Sequence, residues 1–457
     1  MSEVFQNAFQ RKTPHRIPWM PFVGVHGGYL IGMEAKPYLQ SADALYEGVH
    51  EAIVRYSPDA IPVVFDLQIE AEILGCQLRW AKDCPPSVCS HPFLDDPDRA
   101  RVIPSIDQGR IPAIMKALLR LNRHHPDVGL FGLITGPLTL ATHLMGTDLL
   151  MKMILDPDTV DKLLAFCTEV ACAMSGYYAG NGAHGIAVVD PMLSQIAPKT
   201  FQRFLPQPYR SIFSHVRSLG CLSASFVCGD ARKNLDEICK TNPDSLFVDE
   251  NVPLAMLRDC AKTHHIAFGG NIPLASVLLS GSPELCKLAA AQCIYESDQI
   301  GFILAPGCDL LYQTPPENLV AIASLIHSVP YEQMGSLIAQ LTTQLPKVEI
   351  QPYNAPDYAK QEDLTADIIT LNSESCAACQ YMVESVRSLM EERPDLPLQC
   401  HEHRLSEPTT VSMMKTFGVR SVPTLLIDGR ILYESVVPTR SELLHIIDRM
   451  VREKKLV

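Results

Sequence analysis

The chain reads as an α/β protein: a (β/α)8 barrel followed by a second, smaller α/β domain. Three observations predict this. About eight short apolar runs alternate with helix-length segments over roughly 330 residues, the signature of a parallel sheet joined by crossover helices. Polar residues resume at the ends of most of these runs, where a barrel carries its site. The alternation then breaks in a proline-bearing stretch and restarts with a fresh strand. The expected boundaries are a barrel over 1–345, a linker over 346–361 and the small domain over 362–457.

In chain order, Ile17-Pro18-Trp19-Met20-Pro21-Phe22-Val23 reads as a first buried strand and leads into the loop Gly24-Val25-His26-Gly27-Gly28. Residues 41–56 have helical apolar spacing behind Ser41, a good N-cap. Ala60–Phe65 is a second strand with Asp66 at its end, and Ile69–Gly75 a helix stopping at glycine. Residues 107–124 are helical, 128–134 form a strand, and Thr135-Gly136-Pro137 turns into another helix. A long helix over 156–179 opens at Asp156-Pro157, an N-cap with proline behind it. Strands at 185–189, 221–227, 245–248, 265–270 and 301–305 end at Asp190, Cys228, Asp249-Glu250, Asn271 and Gly307-Cys308. Residues 198–218 read as a single helix between the first two of these, and Pro315–Ser328 as the last barrel helix.

The small domain begins with a strand at 367–371. The pair Cys376-Ala377-Ala378-Cys379 then opens a helix running through Met390. A strand near 398–401 and a helix near 411–417 precede Val422-Pro423-Thr424, with Pro423 expected in cis. Asp428-Gly429 between apolar runs signals a hairpin, and a helix over 441–454 ends the series.

Composition narrows the function classes. A net charge of −13 with no long basic run disfavours nucleic acid. No apolar stretch is long enough for a transmembrane helix, and Met1–Gln6 does not look like a signal peptide. Fifteen cysteines, odd in number and mostly set singly in apolar runs, read as buried hydrophobes in a reducing cytoplasm, not as a disulfide scaffold.

Two constellations carry chemistry. Cys376-x-x-Cys379 sits after a strand and at a helix start, where the helix N-terminus lowers the first thiol's pKa. Its alternative is a structural zinc half-site or two core cysteines. Cys228, Glu250 and Cys308, spaced by 22 and 58 positions, each end a strand-like run. Two thiolates and a carboxylate would make an open zinc site able to activate a further thiol. Singly, each cysteine is more often core.

The dithiol and the Pro423 loop together carry a resemblance of 362–457 to the thioredoxin fold. Glu374-Ser375 stand where general thioredoxins place an aromatic residue, so a specialised partner is expected. Further segments carry a second resemblance. They are Phe65-Asp66 with Glu70–Gly75, Thr135-Gly136-Pro137-Leu138-Thr139-Leu140-Ala141, Leu155-Asp156-Pro157, Gly269-Gly270-Asn271-Ile272-Pro273, and Pro306-Gly307-Cys308-Asp309 with Thr314-Pro315-Pro316-Glu317-Asn318. Through them residues 15–328 resemble the uroporphyrinogen decarboxylase superfamily, a TIM-barrel family. The match is closest to its methylcobamide:coenzyme M and related corrinoid-linked methyltransferases. That branch implies zinc held by His-x-Cys-Gly and a distal cysteine. Cys228 and Cys308 match, but Phe226 stands at the histidine position. Glu250 is similar in spacing to the glutamate ligand of cobalamin-independent methionine synthase. The decarboxylase branch itself is disfavoured, because the loop at Gly24–Gly28 lacks its arginine pair.

The resemblance thus implies a cytoplasmic, zinc-dependent methyltransferase that moves a methyl group between a corrinoid (methylcobalamin) protein and a small-molecule thiol. Cys228, Glu250 and Cys308 would hold the metal. His26, Asp66, Asp190 and Asn271 would be the groups at the reacting centre, and Cys376, Cys379 and Pro423 the redox set. One alternative is transfer from a methylated small molecule to a corrinoid protein without thiolate-activating zinc. Another is a redox adaptor using the dithiol alone. For His26, and for His184, a packed or solvated histidine is the plain alternative. For Asp66 it is a loop or helix cap.

Overall fold

The computed structural model describes residues 1–96, 99–345, 353–371, 373, 377–405, 407–419, 422–438 and 440–455. The chain divides into two compact units, Met1–Pro346 and Lys347–Val457.

Seven parallel strands form the sheet of the first unit: β1 (Ala60–Pro62), β2 (Gly129–Thr135), β3 (Gly185–Val189), β4 (Leu222–Val227), β5 (Ser245–Val248), β6 (Ala267–Ile272) and β7 (Phe302–Pro306). Each pairs with the next in chain order, and helices cover the connections. The segment around Trp19 closes the ring. Met20 donates to the Leu304 carbonyl and Leu304 to the Pro18 carbonyl, both at 2.9 Å, while Asp59 donates to the Trp19 carbonyl at 2.9 Å. The fold is therefore a (β/α)8 barrel. Its expected first strand, 17–23, is reduced to a single bridge between Trp19 and Leu304. Pro18 and Pro21 have no N–H to give a ladder, so pairing cannot extend past them.

Other elements follow local chemistry. The helix Ala42–Tyr56 opens where Ser41 Oγ accepts from the Ala44 amide at 3.2 Å. The helix Pro157–Gly180 opens on Asp156, with proline in its first turn. The expected single helix over 198–218 is two, Pro198–Phe204 and Pro206–Ser218, because Pro206 cannot continue the ladder of the first. A short antiparallel pair, Leu78–Arg79 with Ser87–Val88, was not visible in the sequence pattern.

The barrel interior is apolar and largely aromatic. Phe22, Phe65, Phe131, Phe226 and Phe247 share one buried cluster. The Phe226 ring lies 5.0 Å from that of Phe22 and 5.8 Å from that of Phe65. Side chains two apart on a strand share a face, so Cys228 stands one layer above Phe226. Cys228 and Cys308 both pack on this cluster.

The second unit is a four-stranded sheet of β8 (Leu364–Thr370), β9 (Leu398–Arg404), β10 (Thr424–Ile427) and β11 (Arg430–Glu434), in the order β9-β8-β10-β11. β8 and β9 are parallel and the other pairs antiparallel. Asp428 and Gly429 link the hairpin with φ of 47° and 73°, the doubly left-handed turn that the Asp-Gly pair predicts. The Val422-Pro423 peptide is cis, as expected. Cys379 is buried in the helix Ala377–Glu392, whereas Cys376 lies outside the described residues.

Among the described residues no single helix is long and apolar enough to cross a membrane. The bent pair Pro137–Met145 and Asp148–Leu155 passes that test only jointly, and its first helix is buried throughout.

Candidate active site

The mouth at the C-terminal ends of the barrel strands gathers two thiols. Cys228 directly follows β4 and Cys308 follows β7, and their sulfurs are 2.6 Å apart. Both cysteines are free of disulfides. The hydrogen bond with Cys228 lowers the Cys308 thiol pKa. Burial and the nearby Asp309 and Asp249 outweigh it, so the net direction is upward.

Three carboxyls surround the pair, Asp249 buried and Asp309 and Glu250 half-buried. Asp309 follows Cys308 and accepts from the Gly24 amide at 2.8 Å. Gly24 makes that approach possible, because a Cβ there would fall 2.3 Å from the Asp309 carboxylate. Burial raises the Asp309 pKa well above the carboxylate range. Asp249 takes hydrogen bonds from the Gly229 and Asn251 amides, and burial pushes it up to about 6. Burial, then the charge of Asp249, pushes Glu250 up to about 7.

Glu250 is close to the thiols without joining them. Its Oε1 accepts from the Leu274 amide at 3.2 Å, and its Oε2 lies against Gly307, where a Cβ would meet it at 2.1 Å. Among the described residues, no set of three ligand atoms within 4.8 Å of one another includes Cys228, Glu250 and Cys308. The structure therefore brings together the two cysteines and holds the carboxylate aside on a backbone amide. The donor chemistry still fits zinc: two thiols from separate strands, beside three carboxyls whose ionised form a cation would favour. Phe226 lies below the pair in the aromatic cluster and offers no ligand atom.

The other expected site residues lie around this centre. Asp190 follows β3 and spends its carboxylate internally. It accepts from the Leu138 and Thr139 amides at 3.0 Å and from the Thr139 and Tyr209 hydroxyls at 2.6 Å. It thus caps the helix Pro137–Met145. Asp66 accepts from the Gln68 amide and pairs with Arg110 at 2.5 Å. Arg110 also bonds Glu72 at 2.8 Å and lies over the Trp80 ring. Asn271 donates to the Asp249 and Val252 carbonyls, tying the end of β6 to the loop that carries Glu250.

His26 is fully buried. Its Nδ1 is 3.0 Å from the Tyr312 carbonyl and its Nε2 is 2.7 Å from the Tyr56 hydroxyl. A carbonyl only accepts, so Nδ1 carries the proton and Nε2 accepts from Tyr56. Burial pushes its pKa down to about 4, which keeps the ring neutral. His184 bonds the Leu130 amide at the opposite end of the barrel strands, where β2 and β3 begin.

Sequence reasoning did not single out Asp249, Asp309 or Arg110. The first two adjoin Glu250 and Cys308, and that adjacency was the available signal. Nothing local in the sequence marks Arg110, whose partner Asp66 is 44 residues away.

Fold and mouth together define a barrel enzyme with a thiol-lined site at the strand C-termini. Residues 2–329 match the family model described as uroporphyrinogen decarboxylase (URO-D), and the chain belongs to that family. Residues 367–448 match a thioredoxin domain. Among curated relatives, a methylated-thiol--coenzyme M methyltransferase of Methanosarcina mazei is 26% identical over 284 residues, covering 61% of this chain and 75% of its own. A methylcobamide:CoM methyltransferase of the same organism is 29% identical over 268 residues, covering 57% and 77%. A uroporphyrinogen decarboxylase of Wolbachia sp. subsp. Brugia malayi is 23% identical over 307 residues, covering 63% and 82%. A solved methyltransferase from Methanosarcina mazei superposes with a TM-score of 0.64 at 22% identity, covering 70% of this chain and 96% of that one, and shares the fold.

Proposed function

We propose that the barrel unit transfers a methyl group between a corrinoid protein and a small thiol. The observation that carries this reading is the contact of Cys228 and Cys308 at the barrel mouth. The methyltransferase relatives support it, since two are named for coenzyme M as a partner substrate and one for a methylcobamide. Cys228 and Cys308 would hold zinc, with Glu250 able to join once it leaves the Leu274 amide. Zinc bound there would keep an incoming thiol as thiolate at neutral pH.

The chain's own residues do the positioning. The aromatic cluster under the pair closes the barrel and keeps water from entering the site from below. Asp249 and Asn271 brace the loop carrying Glu250, and Asp309 fixes the Gly24–Gly28 loop over Cys308. Asp190 holds the start of the helix Pro137–Met145 at the rim. Asp66, oriented by Arg110, would be one group at the reacting centre, and His26, kept neutral by burial, another. The methyl carrier would be a corrinoid on a partner protein docked at this mouth. The dithiol unit, through Cys376 and Cys379, would keep the mouth thiols or the acceptor reduced. A cytoplasmic setting suits this free-thiol chemistry.

The test is to mix the purified protein and zinc with methylcob(III)alamin and a thiol, and to follow demethylation by absorbance. Thiol-dependent demethylation that is lost in Cys308→Ala is expected. Its absence in the wild type sinks the proposal. A second reading, transfer from a methylated small molecule to the corrinoid without thiolate-activating zinc, draws on the apolar Phe226 and on the engagement of Glu250 with Leu274. Under that reading the mouth thiols bind no zinc, and cob(I)alamin is methylated by a methylated small molecule with no thiol added.

A further inference from the structure

Outside the barrel mouth, a second group of ligand-type side chains meets between two covering helices. The helix Leu235–Cys239 presents Asp236 and Cys239, three apart. The helix Leu254–His264 presents Cys260 and His264, four apart and therefore on one face. The two faces touch. His264 Nε2 is 2.7 Å from Asp236 Oδ1, and Cys260 Sγ is 3.2 Å from Cys239 Sγ. The ligand atoms of Asp236, Cys260 and His264 all lie within 4.8 Å of one another. Cys239 is buried beneath them, Cys260 and His264 are half-buried, and Asp236 is exposed.

We infer that Asp236, Cys239, Cys260 and His264 form a second metal site, for a borderline-soft divalent cation such as zinc. Two sulfurs, an imidazole nitrogen and a carboxylate are the donors zinc prefers, at bond lengths of about 2.0–2.3 Å. Such lengths set neighbouring tetrahedral ligands roughly 3.3–3.8 Å apart. The 2.7 Å contact of His264 with Asp236 needs only a small opening, and the Cys239 sulfur, which touches Cys260 but lies outside the mutually close set of three, must turn toward the other ligands. Binding releases the thiol protons to solvent. It also takes the Nε2 lone pair, so the imidazole proton sits on Nδ1. Lys240 now pairs with Asp236 at 2.7 Å but has Glu237 at 2.8 Å as an alternative partner, so it can give up Asp236 without being stranded.

Placement suggests the role. The first helix lies between β4, which ends just before Cys228, and β5. The second follows β5, which ends beside Glu250. An ion clipping the helices together would fix the spacing of the two elements that carry Cys228 and Glu250, without touching substrate.

The test uses the full chain carrying Cys228→Ser, Cys308→Ser and Cys376→Ser, so that neither the mouth nor the dithiol supplies a competing thiolate site. Cobalt(II) is titrated under reductant, and the near-ultraviolet thiolate-to-cobalt absorption is recorded. A saturable band of stoichiometric amplitude is expected. It should be lost in Cys260→Ser and weakened at least tenfold in affinity in His264→Ala. Zinc should also raise the unfolding temperature of the background protein and not that of His264→Ala, whose half-buried position at the helix end lets it fold. A band unchanged by either substitution overturns the site. So does absence of a band from protein whose Cys239 and Cys260 are shown by thiol titration to be reduced. Because the mouth cysteines are already removed, the outcome is independent of the methyl-transfer reading.

Discussion

Replacing Phe226 by histidine tests the barrel mouth most directly. The ring sits in an aromatic cluster, one layer below Cys228 and on the same face of β4. Without metal, the imidazole exchanges buried phenyl surface for a smaller ring with unpaired nitrogens. Lost burial contributes about 2 kcal/mol and an unsatisfied buried polar group about 1–3 kcal/mol. The expected destabilisation is therefore about 3–5 kcal/mol. For a unit as large as Met1–Pro346, each kcal/mol moves the unfolding midpoint by roughly 1–2 °C. The metal-free variant should melt about 3–10 °C below the wild type. With zinc at a hundredfold excess over its Kd, a completed ligand set returns about 2.7 kcal/mol. Thermal unfolding followed by tryptophan fluorescence reads this well, because both tryptophans, Trp19 and Trp80, lie in the barrel unit. The zinc-dependent rise in midpoint should be several degrees larger in Phe226→His than in the wild type. An equal loss with zinc and with chelator would refute the claim that Phe226 stands at a ligand position of the Cys228–Cys308 pair.

Three further outcomes follow from the same contacts. Asp190→Ala strips acceptors from two helix amides and two hydroxyls, each worth about 1 kcal/mol or more, so barrel stability in urea should fall by about 3–5 kcal/mol. A loss under 1 kcal/mol would contradict that role. Burial lowers the His26 pKa from 6.5 to about 4, so the unfolded chain takes up the proton first and stability is lost as pH falls through that window. That loss is about 3 kcal/mol, and His26→Gln should lack it, giving a flatter stability curve than the wild type between about pH 7 and pH 4; parallel curves would count against it. Finally, in protein lacking Cys260, the remaining zinc measured by elemental analysis should disappear on Cys308→Ala. It should persist, more weakly held, in Glu250→Gln, whose carboxylate rests on Leu274.

Much of the barrel was legible because buried parallel strands are short apolar runs and their ends are where polarity resumes. β3 and β5 occupy the expected residues, and the Asp428-Gly429 hairpin turns as its φ values require. Errors arose where proline overrode pattern. Trp19 keeps one bridge instead of a strand, and Pro206 splits a helix. At the site, Cys228 and Cys308 were legible from their place in two motifs. The stand-off of Glu250 was not, because it depends on the Leu274 amide and on Gly307, both brought near by folding. Asp309 against Gly24, 285 residues apart, is a contact of the same kind.

The sequence by itself determined the alternation of strands and helices, the break before the second unit, and the residue types at the strand ends. These follow from local periodicity and from what proline and glycine permit. Only the tertiary structure decided which of those residues meet. It set two thiols in contact, occupied Asp190 with its own helix cap, turned Glu250 onto a backbone amide, and faced Cys260 and His264 toward Asp236 and Cys239. Barrel closure sets those distances, and a chain of local propensities carries no information about them.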